Sequence, residues 1–392
     1  MPSLIKDGQF CIRAGLSRLA FPNGELRRVL DHYNLGTLII AKRIGRGFVN
    51  ENWELETTWG CFFLKRRHPD LKLPRIIHAQ HALIKYLRTK DFPAPQIIPT
   101  KCGNTLLVLD GEFYEVQTLI DGLPYQTDSV AHFRDAAAIL GAYHILVEGF
   151  SSAALAEQGT LYCPEKLNEN LNRVMKRWKK EINPMLSDTL KKLKTNAVNL
   201  AYRFAKHPPL PELVIHGDYH AGNLIFKDDK IAGVVDYDKA SWQPRVAELA
   251  EALIFFSTHS TGLFTHIVYP GFIIWEKFTE FLRYYASAFK TSHRANYTSN
   301  QQDLPGLKPS ADQASHTKPL TFAELRVLPD YISCIWLTVS LRLLLEKGPF
   351  DDDTSEALHE LLVLSDWAAK NTLRMIEASL TALNIQPKCH QS

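Results

Sequence analysis

The stretch Val214-Ile-His-Gly-Asp-Tyr-His-Ala-Gly-Asn-Leu-Ile-Phe226, followed closely by Ile231-Ala-Gly-Val-Val-Asp-Tyr-Asp238, decides how this chain is read. Two short apolar runs, Leu224 to Phe226 and Ile231 to Val235, flank an Asp228-Asp229-Lys230 turn. That pattern predicts a β-hairpin. A polar loop carrying Asp218 and Asn223 enters the hairpin, and Asp236 stands just past its exit strand. A hairpin folds its two ends together, so all three side chains are expected to face one small volume.

Such a set suits phosphoryl transfer. The reaction needs a carboxylate to position and accept the proton of an attacking hydroxyl. It also needs hard oxygen ligands for Mg²⁺, which favours one or two carboxylates completed by water and phosphate. Asp218 is the candidate base, and Asn223 and Asp236 are the candidate metal ligands. Asp238 follows two residues on, and an extended chain would put it on the same side as a second ligand or as part of an acceptor pocket. Asn223 comes five positions after Asp218, and Asp236 thirteen after Asn223. Order and roles match the catalytic and metal-binding loops of kinases. Any one of these residues alone would pass for a turn residue; the combination does not.

Working back toward the N-terminus, Thr37 to Ile44, Asn50 to Thr57 and Cys61 to Lys65 read as three short strands joined by glycine turns, after a short helix over Gly24 to Asn34. The first turn, with Gly45, Gly47 and Asn50, is a candidate phosphate loop, because glycine lets backbone amides approach an anion. Lys65 closes the third strand, where a lysine can pair with the ATP phosphates. A helix follows over His78 to Lys90, then a hairpin built on Asp110-Gly111. Gln117 to Ile120 would form the hinge, with Thr118 and Ile120 as candidate adenine contacts. A boundary is placed at Asp121-Gly122-Leu123-Pro124, giving an ATP-binding lobe over 1–122 and a helical lobe over 123–392. Within the latter, 291–318, poor in apolar residues, reads as a mobile loop. The class is α+β, with an N-terminal antiparallel sheet and a larger, mostly helical remainder.

His216-Gly-Asp218 with His220 and Asn223, and Asp236-Tyr-Asp238 in place of Asp-Phe-Gly, resemble the aminoglycoside phosphotransferase and choline kinase superfamily. Gly47-x-x-Asn50-x-x-Trp53, Phe92-Pro-Ala-Pro95 and Leu140-Gly-Ala-Tyr-His144 are similar to segments of the bacterial phosphotransferase enzyme family, which includes type II homoserine kinases and spore-coat-associated kinase-like proteins. The resemblance runs from about Leu35 to the last helices. It implies a bilobal protein-kinase-like fold and an ATP- and Mg²⁺-dependent kinase acting on a hydroxyl of a small molecule: an amino alcohol, homoserine, an aminoglycoside or a sugar. It also implies that His216 braces the catalytic loop. Two departures stand out. The helix glutamate that should pair with Lys65 is Gln80, which could hydrogen-bond the lysine but not form an ion pair; a catalytically weak nucleotide-binding scaffold is therefore the alternative. The downstream aspartate is Glu248.

Composition sets outer limits. With 45 basic and 42 acidic residues the net charge is +3, which points to neither nucleic acid nor a membrane surface. Six scattered cysteines without a C-x-x-C pair fit reduced thiols in a cytoplasmic protein. Lys6, Asp7 and Arg13, with no apolar core beside them, argue against a signal peptide, and the apolar runs break before membrane-spanning length. His216 and His220 lack the spacing of a zinc motif. The basic run from Arg173 to Lys194 reads as a solvated face. Trp242, Glu248 and Glu251 are candidates for an acidic, aromatic acceptor pocket. Oligomeric state is not set by the sequence.

Overall fold

The computed structural model describes residues 24–44, 50–68, 73–159, 162–258, 272–299, 320–347 and 350–385. In chain order these form α1 (Glu25–Leu30), β1 (Leu38–Ile44), β2 (Glu51–Thr57), β3 (Gly60–Arg66), α2 (Pro74–Arg88), β4 (Ile97–Ile98), β5 (Leu107–Leu109), β6 (Glu112–Thr118) and β7 (Leu123–Pro124). Then come α3 (Val130–Val147), α4 (Ala153–Ala156), α5 (Pro164–Arg177), α6 (Pro184–Phe204), β8 (Glu212–Ile215), β9 (Leu224–Lys227), β10 (Lys230–Val234) and β11 (Ser241–Pro244). Five helices follow: α7 (Arg245–Ser257), α8 (Trp275–Ser299), α9 (Phe322–Lys347), α10 (Asp352–Lys370) and α11 (Thr372–Leu383).

The chain divides into two compact units, each interrupted in sequence. The first takes the described residues up to Ala136, then Gly149–Gln158 and Ala221–Ala240; the second takes Ala137–Glu148, Gly159–His220 and the rest from Ser241. A single cut at residue 122 would have assigned the β9–β10 hairpin to the helical part. Strand pairing assigns it otherwise: Leu123 and Pro124 do not simply break the pattern but form β7, which pairs with β9 opposite Phe226 and Ile225.

The first unit is built on an antiparallel sheet of order β1-β2-β3-β6-β4, with β5 also on β6. The β5–β6 turn is Asp110-Gly111, with φ of 52° and 77°. A two-residue hairpin turn needs positive φ at both positions, which Asp tolerates and Gly adopts freely. One face of β2 carries buried Trp53, Leu55 and Thr57. Trp53 and Leu55 join Leu26, Val29, Leu64, Tyr114 and Val116 in one core. Helix α2 starts at Pro74, where a missing amide costs no hydrogen bond. Its buried face includes Ile77, Gln80, His81, Ile84 and Leu87.

The second unit packs α5, α6, α9 and α10 around a core that includes Leu171, Leu193, Leu341 and Leu361. Pro184 begins α6, and Asn371 separates α10 from α11. Helix α8 runs on to Ser299, so 291–299 is helical, and 300–318 lies outside the described residues. Among the described residues one helix, Phe322–Glu346, is apolar and long enough to cross a membrane, but 89% of its most apolar window is buried within the protein. That is how a central core helix reads.

Candidate active site

In the first unit the β9–β10 hairpin forms as expected, with Leu224 opposite Val234. Asn223 closes a short 3₁₀ turn ahead of β9 and is buried. Its carbonyl accepts the Val235 N–H at 3.0 Å, which holds the Asn223 and Asp236 ends of the hairpin side by side. Asp236 has left-handed backbone, φ 69° and ψ 67°. Outside glycine that region is uncommon and is visited mainly by Asn and Asp. The twist leaves the Asp236 carboxylate 41% exposed.

Lys65 reaches this place from β3. Its ammonium donates to Asp236 Oδ1 and to Asp238 Oδ1, both at 2.9 Å, across 171 and 173 residues of sequence. Only 4% of its side chain is exposed. Burial alone would depress the lysine, but Asp236 and Asp238 outweigh it and hold the ammonium more firmly protonated than usual. Asp238 is also gripped by Arg67 Nη1 at 2.7 Å on Oδ1 and by the Asn50 amide at 2.5 Å on Oδ2. Three donors therefore occupy a carboxylate that the sequence offered as a metal ligand. Its geometry serves as an anchor, and the open carboxylate is Asp236.

A third carboxylate, Glu115 of β6, is fully buried. Its Oε2 accepts from Arg67 Nε at 3.0 Å and Nη2 at 2.7 Å and lies 2.9 Å from His81 Nε2. Its Oε1 accepts from Gln117 at 2.9 Å and lies 3.9 Å from Lys65 Nζ. Burial pushes Glu115 upward, yet Arg67, His81 and Lys65 together keep it well below the usual carboxylate range. Burial lifts Asp238 against the pull of Lys65 and Arg67, with Asp236 and Glu115 adding to the lift. Among the described residues three carboxylates thus face two fixed cations, a local surplus of negative charge.

Gln80 does not bond Lys65. Its amide donates to the Asp238 carbonyl at 2.8 Å, as does the Gln158 amide at 2.9 Å. Thr118 closes β6 opposite Phe62, and its N–H is already donated to the Gln96 carbonyl at 2.9 Å. The Ile120 side chain fills the space above Gly233, where an added Cβ would come within 2.4 Å of it. Gly45 and Gly47 lie outside the described residues; Asn50, at the end of that loop, also accepts the His68 N–H at 2.9 Å.

Asp218 belongs to the second unit. Its N–H donates to Nδ1 of fully buried His216 at 3.3 Å, and its carboxylate lies 3.8 Å from His220 Nε2. The loop is held one residue earlier. Gly217 has φ 78°, and its N–H donates to Glu248 Oε1 at 2.7 Å. The other oxygen of Glu248 lies 2.9 Å from His144 Nε2, and His144 Nδ1 lies 2.9 Å from the Tyr285 hydroxyl. A carboxylate can only accept, so His144 Nε2–H donates to Glu248, and Nδ1 of the neutral ring accepts from the Tyr285 hydroxyl. Glu248 is thereby used up in bracing and does not line an acceptor pocket. Glu251 is equally buried and accepts from Tyr162, while the Trp242 indole donates to Glu212 at 3.0 Å.

The sequence reading missed Arg67, Glu115 and the His144–Tyr285 brace. One signal was present: once β3 and β6 are paired, Lys65 stands directly opposite Glu115.

The phosphotransferase enzyme family profile matches residues 40–272. A homoserine kinase from Caulobacter sp. (strain K31) is 28% identical over 244 residues, 61% of this chain and 72% of that protein. Among solved structures, an amicoumacin kinase in complex with AMP-PNP and Ca²⁺ aligns with a TM-score of 0.62 at 13% identity, covering 88% of this chain and 94% of that one. A choline kinase from Cryptosporidium parvum aligns at 0.54 and 14% identity, covering 92% and 99%. At such identities the structures speak for the fold, which is protein-kinase-like. The family match spans more than half of the 392 residues and falls on the strands and loops that carry Lys65, Asp218, Asn223 and Asp236; the chain belongs to the phosphotransferase enzyme family, a family of small-molecule phosphotransferases.

Proposed function

We propose that this protein is an ATP- and Mg²⁺-dependent kinase that transfers the γ-phosphoryl group to a hydroxyl of a small amine-bearing acceptor. The observation that carries the reading is the meeting of Lys65, on β3, with Asp236 and Asp238, on the turn after β10, at 2.9 Å and more than 170 residues apart in sequence. A buried lysine beside an exposed carboxylate is the pairing needed to receive a phosphate and its metal ion together.

The residues fit a divalent cation delivered with a nucleotide. Among the described residues no cluster of three or more His, Cys, Asp or Glu side chains could hold a metal alone. Asn223 and Asp236 offer two hard oxygen ligands beside a surplus of negative charge, and phosphate and water would complete the six-fold shell Mg²⁺ prefers. When bound, Mg²⁺ would offset charge on the phosphates. Lys65 would exchange its Asp236 contact for a phosphate oxygen. Asp218, on a loop fixed by Glu248 and His216, would orient the acceptor hydroxyl and take its proton. The acceptor class is supported by the names of the relatives: homoserine and choline each pair a hydroxyl with a cationic nitrogen.

The scaffold alternative rested on Gln80. It loses its motive, because Lys65 faces three carboxylates without any help from that position. The test is ADP release from Mg²⁺-ATP over a panel of homoserine, amino alcohols, aminoglycosides and sugars, run beside Asp218→Asn. Stimulation by one compound, abolished in the variant, is expected. Failure of the protein to bind ATP at all would overturn the reading.

A further inference from the structure

We infer that the carboxylate positioning Lys65 is Glu115 on strand β6, and that α2, through Gln80, holds the Asp236–Asp238 turn instead of the lysine. The inference rests on the kinase reading above and concerns how its phosphate-binding lysine is kept in place.

Two of the three carboxylates facing Lys65 have other duties. Asp236 is the exposed one and is proposed to turn to the metal ion. Asp238 divides its oxygens among Lys65, Arg67 and Asn50. Glu115 has no ligand to serve. It is fully buried, set directly across the β3–β6 ladder from Lys65, and immobilised by Arg67, His81 and Gln117. His81 is steadied in turn by Thr105 at 2.9 Å. A cross-strand neighbour keeps its distance for as long as the sheet exists. The lysine's partner is therefore set by the sheet, and α2 adds to it one contact through His81.

Gln80 has a different task. It is 2% exposed, and its Nε2 and that of Gln158 converge on the one Asp238 carbonyl. Among the described residues its Oε1 has no hydrogen-bond partner. A glutamate here would set a carboxylate oxygen against the Asp238 carbonyl at the position of the present 2.8 Å bond. Gln80 is thus a tether for the turn that carries Asp236, and not a weakened copy of a lysine partner. Glu115 and Gln80 are positioning residues: the first acts through Lys65, the second through the metal turn.

The experiment is calorimetric titration with Mg²⁺–AMP-PNP, which needs no acceptor. Glu115→Gln is expected to weaken binding by about tenfold or more, since Lys65 and Arg67 lose the one fully buried carboxylate that faces them both. In a Lys65→Met background the same substitution should add less than about twofold, because its effect passes through the lysine. A merely structural role would add its full loss in both backgrounds. Gln80→Glu is expected to weaken binding and to narrow the fraction folded at a given urea concentration. Tighter nucleotide binding by Gln80→Glu would overturn the inference, and so would Glu115→Gln binding within about twofold of wild type. If Glu115→Gln fails to fold, Gln80→Glu decides alone. Wild-type protein that ignores Mg²⁺–AMP-PNP would instead remove the kinase reading itself, a distinguishable result.

Discussion

The two candidate halves of the chemistry are built from different materials. Around the exposed Asp236 the first unit gathers buried Lys65, Arg67, Asp238 and Glu115, so that three acidic groups meet two basic ones. Around Asp218 the second unit uses directed hydrogen bonds: Glu248 on the Gly217 N–H, His144 and Tyr285 behind it, and His216 on the Asp218 N–H. Buried charges that are unevenly matched can be redistributed when a charged ligand arrives. Hydrogen bonds to a glycine in the left-handed region fix a loop and leave little to rearrange. Under the proposed kinase reading, a binding region that must exchange partners and a catalytic loop that must not move would be met by these two constructions.

That contrast can be broken most directly at Asp218. Asp218→Asn should lower turnover by roughly a hundred to ten thousand-fold while nucleotide affinity stays within about threefold. Steady-state kinetics beside calorimetry would show it. An equal loss in both quantities would mean that the two regions are not separable.

Next in size is Asp236→Asn. It should remove most of the increase in nucleotide affinity that Mg²⁺ confers, about tenfold or more by analogy with losing one partner of a charge pair. Titration with and without EDTA reads this out. An unchanged metal dependence would shift the ion-binding role away from Asp236.

Glu248→Gln tests the rigid side. The amide can still accept from Gly217, but its N–H would then face the His144 Nε2–H. A buried donor left unpaired costs about 1–3 kcal/mol, to be seen in urea denaturation. Turnover should fall with the loss of loop order, and nucleotide affinity should not.

The smallest signal is in pH. Glu115 is held below its ordinary value of 4.5 in the folded protein. As pH falls through 4.5 the unfolded chain takes up the proton first, so the stability contributed by this carboxylate is complete above that pH and is lost below it. Thermal melts of wild type between about pH 5 and 3 should therefore fall more steeply than those of Glu115→Gln. Parallel curves would place the compensating charge on another residue.

Much of this was legible from local pattern. Strands β1 to β3, the Asp110-Gly111 turn and the β9–β10 hairpin follow from alternation and turn chemistry, which act over a few residues. The side-by-side placement of Asn223 and Asp236 was readable because a thirteen-residue span across one hairpin is itself local. Two-residue strands such as β4 and β7 were not, since their only cause is a partner far along the chain. Gln80 shows the limit most plainly. From sequence it faced Lys65; in the structure it faces the Asp238 carbonyl, because helix rotation and sheet register, not position in the chain, decide which polar atoms meet.

The sequence by itself determined strands β1 to β3, the hairpin with its polar entry and exit, and the kinase-like set of candidate residues, since those depend on periodicity and short-range geometry. Only the tertiary structure decided which carboxylates Lys65 meets, that Asp238 anchors rather than opens, and that Glu248 braces the Asp218 loop. Those outcomes depend on burial, because a charge removed from water must find its partners wherever in the chain packing brings them.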